Sequence, residues 1–350
     1  MTIAKSGLDT LAGVRVASTW GTPVACGATH RLPAEISDSA NESELVARQL
    51  GSGNAMATSA TKANIQPTVS LTMDLGFRNN ADTILAQFFG TAAAPTQQTA
   101  GQGDYLHSLQ FNTTLNSKYL TIARESSTST VIEYPSCATR SVTIRTTQIP
   151  GYMELAAELV ANTIALSSVT NTNATLATTN ITDPTIATAS FSDDFWIDTQ
   201  ASAALASADQ LNITSYELSL TRPQILPTEI KGSAGNGAPI ADGLFEGTLT
   251  VTLAQNANHT WLTAWNAETV YKSRLQVEST QIGTGLNRQY NIYLPGMVLI
   301  QKPEINLAND GANPVTLTFK LTKPSANPTG MSSTYPYIEV VNTLSTSLLA

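Results

Sequence analysis

Side chains able to do chemistry are few in this 350-residue chain, and they stand apart. The three histidines, His30, His107 and His259, have no histidine or cysteine neighbour at the spacing of a zinc site. Cys26 and Cys137 are too far apart for a CxxC motif and too few for a disulfide framework, so they read as two idle thiols. No GxSxG nucleophile elbow accompanies the many serines. The segment GSAGNG (232–237) has the glycines of a phosphate loop, but it lacks the Lys-Ser/Thr ending and precedes a strand, so it reads as a projecting loop. Two acidic groups, Glu35/Asp38/Glu42/Glu44 and Asp193/Asp194/Asp198, lack the DxDxDG order of a calcium cage and read as solvated faces. Trp261 and Trp265 have the spacing of one helix face, which assigns them to a core rather than to a carbohydrate platform. These residues predict no enzyme, no cofactor and no metal site.

The composition agrees with a role carried by surfaces. Only 13% of the residues are charged, and 26 acidic side chains against 18 basic ones give a net charge of −8, which excludes a protein that grips nucleic acid through clustered Lys and Arg. Thr, Ser, Ala and Asn are abundant instead. Thr suits a pleated, half-exposed surface, so the chain is expected to build strands whose outer faces meet copies of itself. No segment approaches the ~18 consecutive apolar residues of a membrane span, and the first residues, MTIAKSGLDTLAG, lack the apolar stretch of a signal peptide. No membrane insertion is expected, and the chain reads as intracellular or assembled from the cytoplasm.

The elements that must position these surfaces are mostly strands. Apolar residues alternate at Val69, Leu71, Met73 and Leu75; Leu120 and Ile122; Val142 and Ile144; Leu218 and Leu220; Leu249, Val251 and Leu253; and Val315, Leu317, Phe319 and Leu321. Helical spacing is confined to short stretches, the clearest being ADTILAQFF (81–89) and NHTWLTAW (258–265). Around those two helices the chain repeats itself in the order strand, helix, strand, strand with a proline, strand, strand. TVSLTM (68–73) corresponds to TLTVTL (248–253), KYLTIAR (118–124) to SRLQVES (273–279), and VIEYPSC (131–137) to NIYLPGM (291–297). SVTIRT (141–146) corresponds to PEINLA (303–308), and YMELAAELVA (152–161) to PVTLTFKLTK (314–323). The repeat decides that YMELAAELVA is a strand although its residue types favour helix. Leu71, Leu85, Phe88, Val251, Leu262 and Trp265 are expected in the core.

Ahead of each repeat lies a polar, glycine-containing segment, 47–67 and 227–243, expected to project as a loop. The domain boundaries follow: a first β domain with an N-terminal arm over 1–166, a low-complexity linker over 167–190, a second β domain over 191–325, and a C-terminal arm with one possible strand over 326–350.

STWGTP (18–23), the strand and helix SLTMDLGFRNNADTILAQFFG (70–90), the run KYLTIARESSTSTVIEYPSC (118–137) and the returning GTLTVTL (247–253) and YLPGM (293–297) give the chain a family likeness. It resembles the tail tube proteins, or major tail proteins, of long-tailed bacteriophages, of the type in which the tube domain occurs twice. The likeness covers residues 10–325, and Cys137 stands where that family often has Gly. It implies a mainly β fold of two tandem β-sandwich domains, each with one short α-helix. It also implies a structural virion protein whose partner is itself, three two-domain chains closing a six-domain ring that stacks into a hollow tube. The tape-measure protein and tail-end proteins would be further partners, and DNA would pass through without specific binding. Assembly would take place in the host bacterial cytoplasm. Within this reading Asp74, Glu133 and Glu304 are the candidate lumen charges, offset by Arg140 and Arg145. Gly51, Ser52, Gly53, Asn54, Gly232, Gly235, Asn236 and Gly237 are the candidate inter-ring loop residues. A cell-surface adhesin or carbohydrate-binding β module, or another phage neck or decoration protein, is the alternative.

Overall fold

The computed structural model describes residues 10–46, 60–90, 93–113, 117–127, 129–190, 193–227, 235–254, 260–283, 286–303 and 314–350. The first half contains β1 (Ala12–Ala17), β2 (Glu35–Val46), β3 (Ala60–Asp74), α1 (Ala81–Phe89), β4 (Thr96–Gln97), β5 (Tyr105–Gln110), β6 (Tyr119–Glu125), β7 (Val131–Thr146), β8 (Gly151–Tyr152) and β9 (Glu154–Ala161). Between the halves come α2 (Asn173–Ala177) and β10 (Thr188–Ala189). The second half contains β11 (Asp194–Thr199), β12 (Ser215–Thr221), β13 (Gln224–Ile225), β14 (Ile240–Ala241), β15 (Glu246–Leu253), α3 (Thr260–Asn266), β16 (Val270–Gly283), β17 (Leu286–Leu299) and β18 (Val315–Leu321), followed by β19 (Tyr337–Asn342) in the tail. The chain is mainly β, as the alternation predicts, and MELAAELV lies almost wholly in strand β9.

Strand order repeats. In the first half the antiparallel neighbours run β1-β6-β7-β9-β3-β2, and in the second half β11-β16-β17-β18-β15-β12. In each half one long strand serves both layers. β7 pairs with β6 up to Cys137 and with β9 from Cys137 onward, and the change follows Pro135 and Ser136, whose φ is 59°. The Ser136 hydroxyl holds that bend by accepting from the Gly21 N–H at 2.8 Å and donating to the Thr19 carbonyl at 3.1 Å. In β17 the pairing with β16 runs on to Val298, while the neighbour on its other side changes from β19, up to Tyr293, to β18, from Met297, across Pro295–Gly296, where an added Cβ would sit 2.6 Å from the Thr322 carbonyl oxygen. Only glycine fits there.

The halves share one sheet. β12 pairs with β15 on one side and with residues 141–146 of β7 on the other. The tail strand β19 lies between β17 and β5, so it too ties second half to first. The stretch 167–190, whose composition predicts a linker, is packed onto the first half. Asn171 is buried and donates to Glu133, while β10 pairs with β8. Side-chain amides and hydroxyls, rather than apolar residues, hold that stretch, and composition therefore hides its order.

Helix α1 begins where the Asn79 side chain accepts the Ala81 N–H at 3.2 Å and ends at Gly90, whose φ of 77° suits a glycine terminator. All nine of its residues are buried, because the second half lies over it: Phe245 packs on Phe88, and Arg222 reaches the Phe88 carbonyl. In α3 only Ala264 is buried among the described residues. Trp261 and Trp265 are partly buried against the core and Leu262 is half-buried, which corrects the expectation of full burial for Leu262 and Trp265. Leu71, Leu85, Phe88 and Val251 are fully buried as expected.

Candidate functional site

The shared sheet presents one continuous polar face. Cross-strand register aligns Glu35, Ser37 and Ser39 of β2 with Thr72, Ser70 and Thr68 of β3, and Ser70, Thr72 and Asp74 with Glu158, Ala156 and Glu154 of β9. It continues through Ser141, Thr143 and Arg145 of β7 to Thr221, Ser219 and Glu217 of β12. From there it reaches Glu246, Thr248, Thr250 and Thr252 of β15, and Lys320, Thr318 and Thr316 of β18. Alternation sends the intervening side chains to the opposite face, where Leu71, Leu155, Ile144, Leu218, Val251 and Leu317 are each at most 1% exposed. One pleat rule thus makes both the core and the polar wall.

Among the described residues, six carboxylates stand on or at the edge of this wall, against three cations. Arg145 pairs with Glu154 at 2.5 Å, Lys320 with Glu246 at 2.8 Å, and Arg140, at a bulge in β7, with Glu158 at 3.5 Å. These exposed pairs contribute little stability, but they occupy the cations. Glu35, Asp74 and Glu217 are exposed and have no ion-pair partner among the described residues. Between the charges lie hydroxyls, some in contact across strands, as Thr143 donates to Ser219 at 3.4 Å. Among its described residues such a wall offers hydroxyls and carboxylates and no aromatic ring to a base.

Of the candidate lumen charges, Asp74 is on this face with Arg145, and Arg140 borders it. Glu133 is not: it is 2% exposed, and its carboxylate accepts from Asn171 at 2.6 Å and Ser168 at 2.9 Å, fastening residues 165–171 to β7. Glu304 lies outside the described residues, as do Gly51, Ser52, Gly53, Asn54 and Gly232. Glu35, which the sequence places in a solvated acidic group rather than in a lumen, and Glu217, which no sequence signal marks although it lies in the alternating run of Leu218 and Leu220, join Asp74 on this face.

The expected projecting loops differ from the structure in two places. Ala60–Pro67, assigned to a loop, belong to β3 and pair with β2. Gly235, Asn236 and Gly237 do not project. Asn236 exchanges hydrogen bonds with Asn162, its own N–H and amide each reaching the Asn162 carbonyl at 3.0 Å, while its carbonyl accepts from Asn162 at 2.6 Å and from Trp20 at 2.9 Å. Gly235, with φ of 98°, leaves no room for a Cβ beside Asn162.

His259 lies outside the described residues, and His30, His107 and Asp193 are used structurally. Gly27 N–H donates to His30, and His107 Nε2 lies 3.0 Å from both Asn342 and the Leu344 carbonyl. Asp193 accepts the N–H groups of Ser190 and Glu278. Burial pushes the Cys26 thiol up to about 12 and Cys137 higher still, far from a reactive thiolate. Lys272, which no sequence signal marked, is buried with its ammonium on the carbonyls of Ser202, Ala203 and Thr329.

A repeated strand order fused into one sheet, with a hydroxyl-rich wall on one side and the core on the other, defines an architectural β protein. The chain belongs to the phage tail tube protein family, which it matches over residues 7–322. No curated protein matches it. Membership gives it a structural role, self-assembly into a tube and a place in the virion tail.

Proposed function

We propose that three copies close a ring of six equivalent β domains, two per chain over residues 1–166 and 191–325, and that stacked rings form a hollow conduit for DNA ejection. The observation that carries this reading is the junction inside the chain. β12 docks on β7, and the second half thereby covers α1. β2 holds the place of β12 in the first half, and among the described residues it pairs only with β3. α3 holds the place of α1, and its tryptophans are only partly buried. Adding the next copy through β2 would repeat the internal junction and cover α3, giving the β2 edge a partner. The polar wall then lines the bore, with Asp74, Glu35 and Glu217 as lumen charges. A net negative, hydroxyl-rich bore holds phosphate weakly, so DNA passes without specific binding. The tape-measure protein would occupy the bore during assembly, and tail-end proteins would close the tube.

Negative-stain microscopy of the purified chain tests this reading. Hollow tubes with threefold rings are expected, and a chain that remains monomeric at high concentration contradicts it. Ser37→Pro, on the described part of β2, should leave a folded monomer and block ring closure.

A further inference from the structure

The two ends of β12 carry an apolar cleft and a group of exposed aliphatic side chains. At the Ser215 end, Ile149, Met153, Phe195, Leu211, Ile213 and Tyr216 line a mostly apolar cleft of about 260 Å³. The Tyr216 hydroxyl, in the wall of that cleft, is buried without a hydrogen-bond partner. At the Thr221 end, the β13–β14 pair sets Ile225 and Ile240 directly opposite each other, 50% and 55% exposed, and Leu244, three residues after β14, is 83% exposed. Large aliphatic side chains grouped this way on a surface mark a contact site. Tyr216 and Thr221 are separated by ~17 Å of strand, so cleft and apolar knob lie at opposite ends of it. Neither can satisfy the other within one chain.

We infer that the Ile225/Ile240/Leu244 knob of one copy seats in the Tyr216 cleft of the next copy along the tube, so that this contact, resting on the tube reading above, joins successive rings. Self-assembly selects a second copy as the occupant, because the family builds a tube from one chain. A knob and a cleft at opposite ends of one strand make a head-to-tail contact, which propagates as an open stack. A cavity of roughly 150 Å³ takes one benzene ring, so the cleft here has room for about two of the knob's three aliphatic side chains. The incoming β13–β14 pair also brings main-chain groups to the Tyr216 hydroxyl.

Two experiments on the full chain test the inference. Leu244→Asp with Ile240→Asp changes exposed side chains and leaves the fold intact; it should raise the concentration at which tubes form at least tenfold without abolishing rings. Leu244→Cys combined with Asn212→Cys, at the cleft rim, should give a ladder of dimers, trimers and higher species when tubes are treated with a short bis-maleimide. Each single variant should give no ladder, since Cys26 and Cys137 are buried. Normal tubes without the ladder, or wild-type assembly of the Asp variant, would overturn this inference alone. Wild-type protein that forms no tubes at any concentration overturns it together with the tube reading.

Discussion

Arg222, just past β12, donates from Nη1 to the main-chain carbonyl of Phe88 in the last turn of α1, 3.2 Å away. Its guanidinium lies over the Phe111 ring, and burial pushes its pKa down to about 10. A residue of the second half thus answers an open carbonyl at the end of the first half's helix, where a cation also meets the negative end of the helix dipole. The two halves are bound by chemistry as well as by strand pairing.

The unequal cover on the two helices has a measurable consequence. Phe88→Ala should lower the monomer's unfolding free energy by about 3–5 kcal/mol. Trp265→Ala, at a partly buried site, should lower it by about 1–2 kcal/mol in the monomer. Urea denaturation of both variants checks this, and equal losses would contradict the difference in burial.

Asp82 makes stability depend on pH. Its carboxyl is buried in α1, and burial raises its pKa from 3.8 to about 6, against hydrogen bonds from the Thr83 N–H and Asn342. The folded state therefore holds this proton where the unfolded state has lost it. The resulting stabilisation is complete below about 4 and is lost as the pH rises through 6. Asp82→Asn should remove that slope, so the variant should gain on the order of 2–3 kcal/mol over the wild type between pH 4 and pH 7. Urea midpoints measured across this range provide the comparison, and parallel pH profiles would contradict the assignment.

Lys272 joins three separate carbonyls at 2.8, 2.6 and 3.2 Å, two in the segment after β11 and one in the tail. Burial lowers its pKa, against the nearby Asp198 and Asp209. Lys272→Met keeps the aliphatic stem but leaves the carbonyls unanswered, at a cost on the order of 2–3 kcal/mol. Limited proteolysis should then cut near Ser202–Ala204, and resistance equal to the wild type would show that the ammonium is dispensable.

The lumen reading predicts a change in DNA adherence. Glu35→Lys, Asp74→Lys and Glu217→Lys alter exposed side chains on the polar wall, so the fold should persist while the wall's charge changes sign. Tubes of the triple variant should retain duplex DNA at low salt and release it steeply as salt rises. If they retain no more DNA than wild-type tubes, these residues do not line the bore.

Much of the architecture is local and was legible in the residues. Period-two alternation fixed which side chains of β3, β7, β15 and β18 face the core, because successive residues of a pleated strand point to opposite faces. ADTILAQFF gave α1 its bounds, since Gly90 stops it, and Pro135 and Pro295 marked the two bends. Only the tertiary structure decided partners. Residues 216–221 find 141–146, and β19 inserts between β17 and β5; loop-closure entropy rises only slowly with length, so separation along the chain does not select a strand's neighbour. The same limit applies to Glu133 and Asn236. Both are polar residues that sequence assigns to water, yet Asn171 and Asn162 meet them from distant segments and supply the hydrogen bonds that water would otherwise provide. The half-buried Trp265 follows from the same cause, because a helix face closes only where another part of the protein arrives to cover it.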